Sequence, residues 1–169
     1  MLQRTRSVDA YKHLALSFYN LIPSCPSCNH RKKTEIFDYH PYVGHLVKGG
    51  PSPRFMVETK NVVRDDDNRL LLFPETVEIK MANPNKNTTV LAMEELYKHH
   101  SDYAKEILDK ILAYNAASYE PLISAFQSMG RTPEEIDRLI WSNYIDDAHQ
   151  TNRPLSKLTH DILKQFGII

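Results

Sequence analysis

The stretch Asn20-Leu21-Ile22-Pro23-Ser24-Cys25-Pro26-Ser27-Cys28-Asn29-His30-Arg31-Lys32-Lys33 decides how this chain is read. A mostly apolar run from Leu14 to Ile22 leads into it and stops at Pro23, which predicts a short strand or a buried segment. Ser24 or Cys25 suits a helix N-cap and Pro26 suits the first turn, so a knuckle turning into a short helix is expected. Two thiols three residues apart can reach one ion at about 2.3 Å, which makes half of a tetrahedral zinc site. A closed site needs two more ligands. No other cysteine exists, so they would be drawn from His13, His30, His40 and His45 or from another source. The plainer alternative is a pair of cysteines packed as small apolar groups, with no metal.

Outward from the knuckle, charge separates the chain into two halves. Residues 1–60 carry nine Lys or Arg against four acids, a net +5, and residues 61–169 carry −5, so the whole is neutral. A basic front half suits a polyphosphate partner; an acidic rear half suits solvent or another protein. Hydrophobic residues make up 41% and charged residues 25% of the 169, which excludes wholesale disorder. No run of 18 apolar residues exists, and the segment Met1 to Tyr11 carries Arg4, Arg6 and Asp9. Neither a membrane span nor a secretory signal is expected, and two cysteines this close form no disulfide framework. The expected location is the cytoplasm.

The rest of the chain reads as α+β. Phe55 and Val57, then Val77, Ile79 and Met81, alternate with polar neighbours and predict strands, with a turn at Asp65-Asp66-Asp67-Asn68. From about Asn87 the pattern turns helical: Tyr103, Ile107 and Ile111, flanked by Leu108 and Leu112, form one stripe. Thr132-Pro133-Glu134-Glu135 is a capping box leading into Ile136, Leu139, Ile140 and Tyr144. Ser156 is expected to cap a last helix whose Leu158, Ile162 and Phe166 share a face, with Gly167 ending it. The expected organisation is a segment 1–50 built on the knuckle and an α+β extension 51–169, a small β-sheet under a C-terminal helical layer. The aspartates 65–67 read as a solvated turn. His99 and His100, about 100° apart on a helix, do not converge on one ion.

In its order of parts the quoted stretch resembles the second half of the HNH endonuclease motif, Asn-Leu-(apolar)-x-x-Cys-x-x-Cys-Asn-x-x-Lys. The flanks Leu14-Ala15-Leu16-Ser17-Phe18, His40-Pro41-Tyr42 and Arg153-Pro154-Leu155-Ser156-Lys157-Leu158 with Asp161-Ile162 are similar to a bacterial subgroup of that family. That subgroup includes nucleases paired with an ATPase in Septu-like anti-phage defence systems. The resemblance implies a ββα-metal finger that hydrolyses DNA phosphodiester bonds with one Mg²⁺ or Mn²⁺. It implies that Asn20 orients the catalytic histidine, that Asn29 is a ligand of the catalytic metal, and that Cys25 and Cys28 form one knuckle of a structural zinc. It further implies that Arg31, Lys32 and Lys33 lie along the nucleic-acid backbone, and that an ATPase is a partner. There, cations neutralise phosphate charge without reading sequence.

Two parts of the family pattern are missing. The family carries an Asp-His pair upstream, the histidine as general base and the aspartate as second metal ligand. By spacing, that pair falls near Gln3 and Arg4, and no Asp-His dipeptide occurs anywhere in the chain. The family's first Cys-x-x-Cys is missing too. Either Met1 begins inside the finger or the copy is degenerate. His13, seven residues before Asn20, is the candidate substitute base, with Asp9 four residues ahead of it as a metal ligand. Two functions of different class follow. One is a truncated or degenerate HNH nuclease; the other is a non-catalytic nucleic-acid- or protein-binding module that keeps the scaffold.

Overall fold

A computed structural model of the chain describes residues 2–4, 21–33, 35, 52–60, 63–64, 66–67, 70–71, 73–114, 116–150 and 152–169. Among them are three two-stranded antiparallel ladders and seven α-helices, an α+β fold. The chain divides into two compact units: residues 1–53 with 83–96, and residues 54–82 with 97–169.

In the first unit, β1 (Leu2–Arg4) runs antiparallel to β2 (Leu21–Pro23), with Gln3 opposite Ile22 and Arg4 opposite Leu21. Pro23 ends β2, and α1 (Pro26–Lys32) starts three residues later. Further along the chain come α2 (Lys86–Val90), in this unit, and α3 (Met93–Tyr97). Asn85 and Thr88 cap α2 reciprocally: Asn85 Oδ1 accepts from the Thr88 N–H at 3.0 Å, and Thr88 Oγ1 accepts from the Asn85 N–H at 2.9 Å.

The second unit grows from the alternating segments. β3 (Arg54–Thr59) pairs along its whole length with β6 (Val77–Ala82), putting Val57 opposite Ile79 and Thr59 opposite Val77. Between them lie the two-residue strands β4 (Val63–Arg64) and β5 (Leu70–Leu71). Phe55, Val57, Val77 and Ile79 are buried, as the period of two requires. The turn expected at 65–68 is present at its described residues, Asp66 and Asp67.

Helices α4 (Ser101–Ala113) and α7 (Ser156–Gln165) pack on that hairpin, α4 against β6 and α7 against β3, and also against each other. α5 (Ala116–Ser128) and α6 (Pro133–Trp141) complete the layer. Ala104, Ile107, Leu108, Ile136, Ile140, Trp141, Leu158, Ile162 and Leu163 form the core. At about 25 cal/mol per Å² of apolar surface removed from water, burying each large side chain contributes about 1.5–3 kcal/mol.

Three sequence expectations are corrected here. Leu112 and Leu139 are exposed, at 46% and 55%, because the helical stripe is narrower than their positions on it. Phe166 is also exposed, since the helix has ended by then and Gly167, at φ +68°, turns the chain. Ser156 is the first helical residue rather than the cap. Leu155 stands at the cap with φ 63°, and the Ser156 hydroxyl bonds instead to Asn143 Oδ1 and to the Arg153 carbonyl at 2.9 Å.

The two-stranded sheet leaves an open edge on β3, and α7 closes it with side chains. Asp161 Oδ2 accepts from the Phe55 N–H at 2.8 Å; one turn later Gln165 accepts from the Val57 N–H and donates to the Val57 carbonyl, both at 2.8 Å. An i, i+4 pair on a helix thus occupies the N–H of residue 55 and both the N–H and the carbonyl of residue 57, which satisfies buried backbone and leaves those groups unavailable for pairing with another chain. A second polar group ties the 142–155 loop down. Asn143 is 3% exposed; its Nδ2 donates to Tyr103 Oη and the Pro154 carbonyl at 3.0 Å, and Tyr103 Oη meets Thr159 Oγ1 at 2.8 Å.

Candidate functional site

Helix α1 carries the candidate residues that the structure describes. Cys25 has extended backbone, φ −67° and ψ 159°, and is the N-cap; its Sγ accepts from the Cys28 N–H at 3.3 Å. Pro26 occupies the first turn, where a missing N–H costs nothing. The segment thus forms the helix that its sequence predicts, with cysteine in a role usually taken by serine or aspartate.

Cys25 is exposed and Cys28 is partly buried. The hydrogen bond from the Cys28 backbone, with a further one from its side chain, pulls the Cys25 thiol below its ordinary pKa. Cys28 shifts the other way: hydrogen bonding to Cys25, burial and the Cys25 charge all push it up. The thiols are therefore close and inequivalent. By ligand chemistry the pair suits half of a zinc site. Among the described residues, however, no group of three or more His, Cys, Asp or Glu converges on a common point. His30 is exposed on α1 and does not join the cysteines in such a group.

Asn29 is partly buried at the fourth helical position, its backbone N–H bonded to the Cys25 carbonyl at 3.0 Å. A lone amide oxygen falls short of what Mg²⁺ or Mn²⁺ requires of a protein, since such ions are usually anchored by carboxylates.

The three cations after Asn29 do not act alike. Arg31 and Lys33 are exposed, but Lys32 is only 5% exposed. Neighbouring helical residues point about 100° apart, so one of any two adjacent side chains can face inward. Burial lowers the Lys32 pKa, against the pull of the Glu35 charge, and Lys86 reinforces the lowering. Glu35 in turn is held below the usual carboxylate range by its contact with Lys86, whose Nζ lies 2.8 Å from Glu35 Oε2. Lys32, Glu35 and Lys86 therefore form a charge cluster between α1 and α2 within the first unit. Sequence spacing gives no hint of Lys86, 54 positions beyond Lys32. Of the three cations that the resemblance puts along a nucleic-acid backbone, Arg31 and Lys33 are exposed and Lys32 is enclosed by protein.

Lys33 ends the helix at φ 47° and ψ −121°, a left-handed conformation that favours glycine, while its N–H bonds to the Asn29 carbonyl at 3.2 Å. That backbone turns the chain sharply after Lys32. Asn20, His13 and Asp9, with the candidate ligands His40 and His45, lie outside the described residues.

No described helix is long and apolar enough to cross a membrane. No protein-family model, no curated protein and no solved structure matches the chain.

Proposed function

We propose that this chain is an HNH-like finger protein that engages nucleic acid, duplex DNA by the resemblance, through α1, and that its capacity to hydrolyse phosphodiester bonds is impaired. The observation that carries the reading is the local order of elements. Two antiparallel strands precede a helix that opens on Cys25-Pro26-Ser27-Cys28-Asn29, and β1 consists of Leu2, Gln3 and Arg4. Gln3 and Arg4 stand where the family's spacing puts Asp-His. Neither is an adequate base at neutral pH: a carboxamide does not titrate and a guanidinium stays protonated. Without the base, a metal-bound water must lose its proton unaided, which removes about 10²–10⁴-fold in rate. Without the aspartate, one protein ligand of the Mg²⁺ or Mn²⁺ is lost as well. What survives is the scaffold and its exposed cations.

The test is a supercoiled-plasmid nicking assay with Mn²⁺, run beside duplex binding by the same preparation. Binding with nicking at or near background is the expected result. Robust nicking that Asn29→Ala abolishes would overturn the impaired-catalysis part and direct attention to His13 as base. Absence of both binding and nicking would remove nucleic acid as the partner.

A further inference from the structure

We infer that Cys25 and Cys28 form a redox-active dithiol, a site of thiol–disulfide exchange with small-molecule disulfides. The inference rests on these two side chains and not on the nucleic-acid reading. Residues three apart on a helix are separated by about 4.5 Å along the axis and about 2.3 Å across it, hence about 5 Å between Cα atoms. Disulfides span roughly 4.4–6.8 Å between Cα atoms, so N-cap and third helical position can be bridged with little backbone movement. The Cys25 side chain is already turned toward its partner, with Sγ 3.3 Å from the Cys28 amide nitrogen.

Access fits a two-step exchange. Cys25 is exposed and Cys28 partly buried, so a disulfide reagent from solvent meets Cys25 first. Among the described residues, no third His, Cys, Asp or Glu converges with the pair to commit both sulfurs to a metal. The thiolate of Cys25 attacks one sulfur of a low-molecular-weight disulfide, whose S–S bond breaks and releases one thiolate. Cys28 then loses its proton to solvent and attacks Cys25 Sγ, expelling the second small thiolate. The protein gives up two electrons and two protons, and the small disulfide is reduced to two thiols.

The experiment uses the full chain, reduced and freed of metal by a chelator, then equilibrated in a series of glutathione buffers from fully reduced to fully oxidised. After acid quenching and alkylation, intact mass reports free thiols and adducts. The expected result is a single two-electron transition to a form with no alkylated cysteine and no glutathione adduct. Cys28→Ser should trap one glutathione on Cys25. Cys25→Ser should form no intramolecular bridge, and because serine is itself a favoured N-cap the helix start is kept. The inference is overturned if both thiols stay alkylatable in the most oxidising buffer or if the unaltered chain accumulates adducts instead of a bridge. It is equally overturned if chain purified without chelator holds one zinc that blocks oxidation.

Discussion

If α1 lies along a phosphate backbone, the burial of Lys32 fixes how strongly salt should weaken binding. Each phosphate contact on duplex DNA contributes about 0.9 to the slope of log affinity against log salt concentration. Three contacting cations would contribute about 2.7, but only Arg31 and Lys33 are exposed, which gives about 1.8. Between about 50 and 200 mM salt, that difference in slope corresponds to about a three- to fourfold change in affinity. The perturbation is the double substitution Arg31→Ala with Lys33→Gly. Glycine is chosen at 33 because the backbone there has φ 47°, so the cation is removed and the strain with it. Lys32→Met, which removes a charge that protein encloses, should leave the slope unchanged. Replacing Lys105, Lys110 and Lys164 with alanine should also do little, since Lys105 already pairs with Asp109 and Lys110 with Glu106. Fluorescence anisotropy of a labelled duplex across the salt series reads all four proteins. A slope reduced by about 0.9 in Lys32→Met would refute the enclosure of that cation, and as much affinity lost in the rear triple variant as in the front double one would refute the placement of α1 on the backbone.

Other expectations concern the second unit, where the single tryptophan, Trp141, is 1% exposed and reports unfolding by its fluorescence. Asp161→Ala leaves the Phe55 N–H without its acceptor and should cost about 1.5–3 kcal/mol, seen as a lower midpoint in urea. Asp161→Asn, which retains an acceptor oxygen, should cost less; equal losses would mean that the ion pair with Lys157, not the strand edge, carries the effect. Thr132→Ala removes one half of a reciprocal cap on α6 and should cost about 1 kcal/mol, with Glu135→Ala losing the other half and the two effects less than additive. Independent, fully additive losses would show that the two bonds do not act as one cap.

The sequence by itself determined the features whose causes lie within a few residues of each other. Period-two alternation placed Phe55 and Val57 in one strand and Val77 and Ile79 in another. The knuckle Cys25-Pro26-Ser27-Cys28 marked a helix start, and Thr132-Pro133-Glu134-Glu135 marked another, because a cap is a bond between residues three apart. Only the tertiary structure decided which side chains those elements enclose. Lys32 and Arg31 are both basic and adjacent, and nothing local says that one faces Glu35 and Lys86 while the other faces solvent. Leu112 and Leu139 fit their helical patterns yet stay exposed, since width of contact depends on the partner surface. Asp161 and Gln165 read as polar positions on the last helix. They become the closure of a sheet edge because folding brings Phe55 and Val57, more than a hundred residues earlier, within 2.8 Å of them.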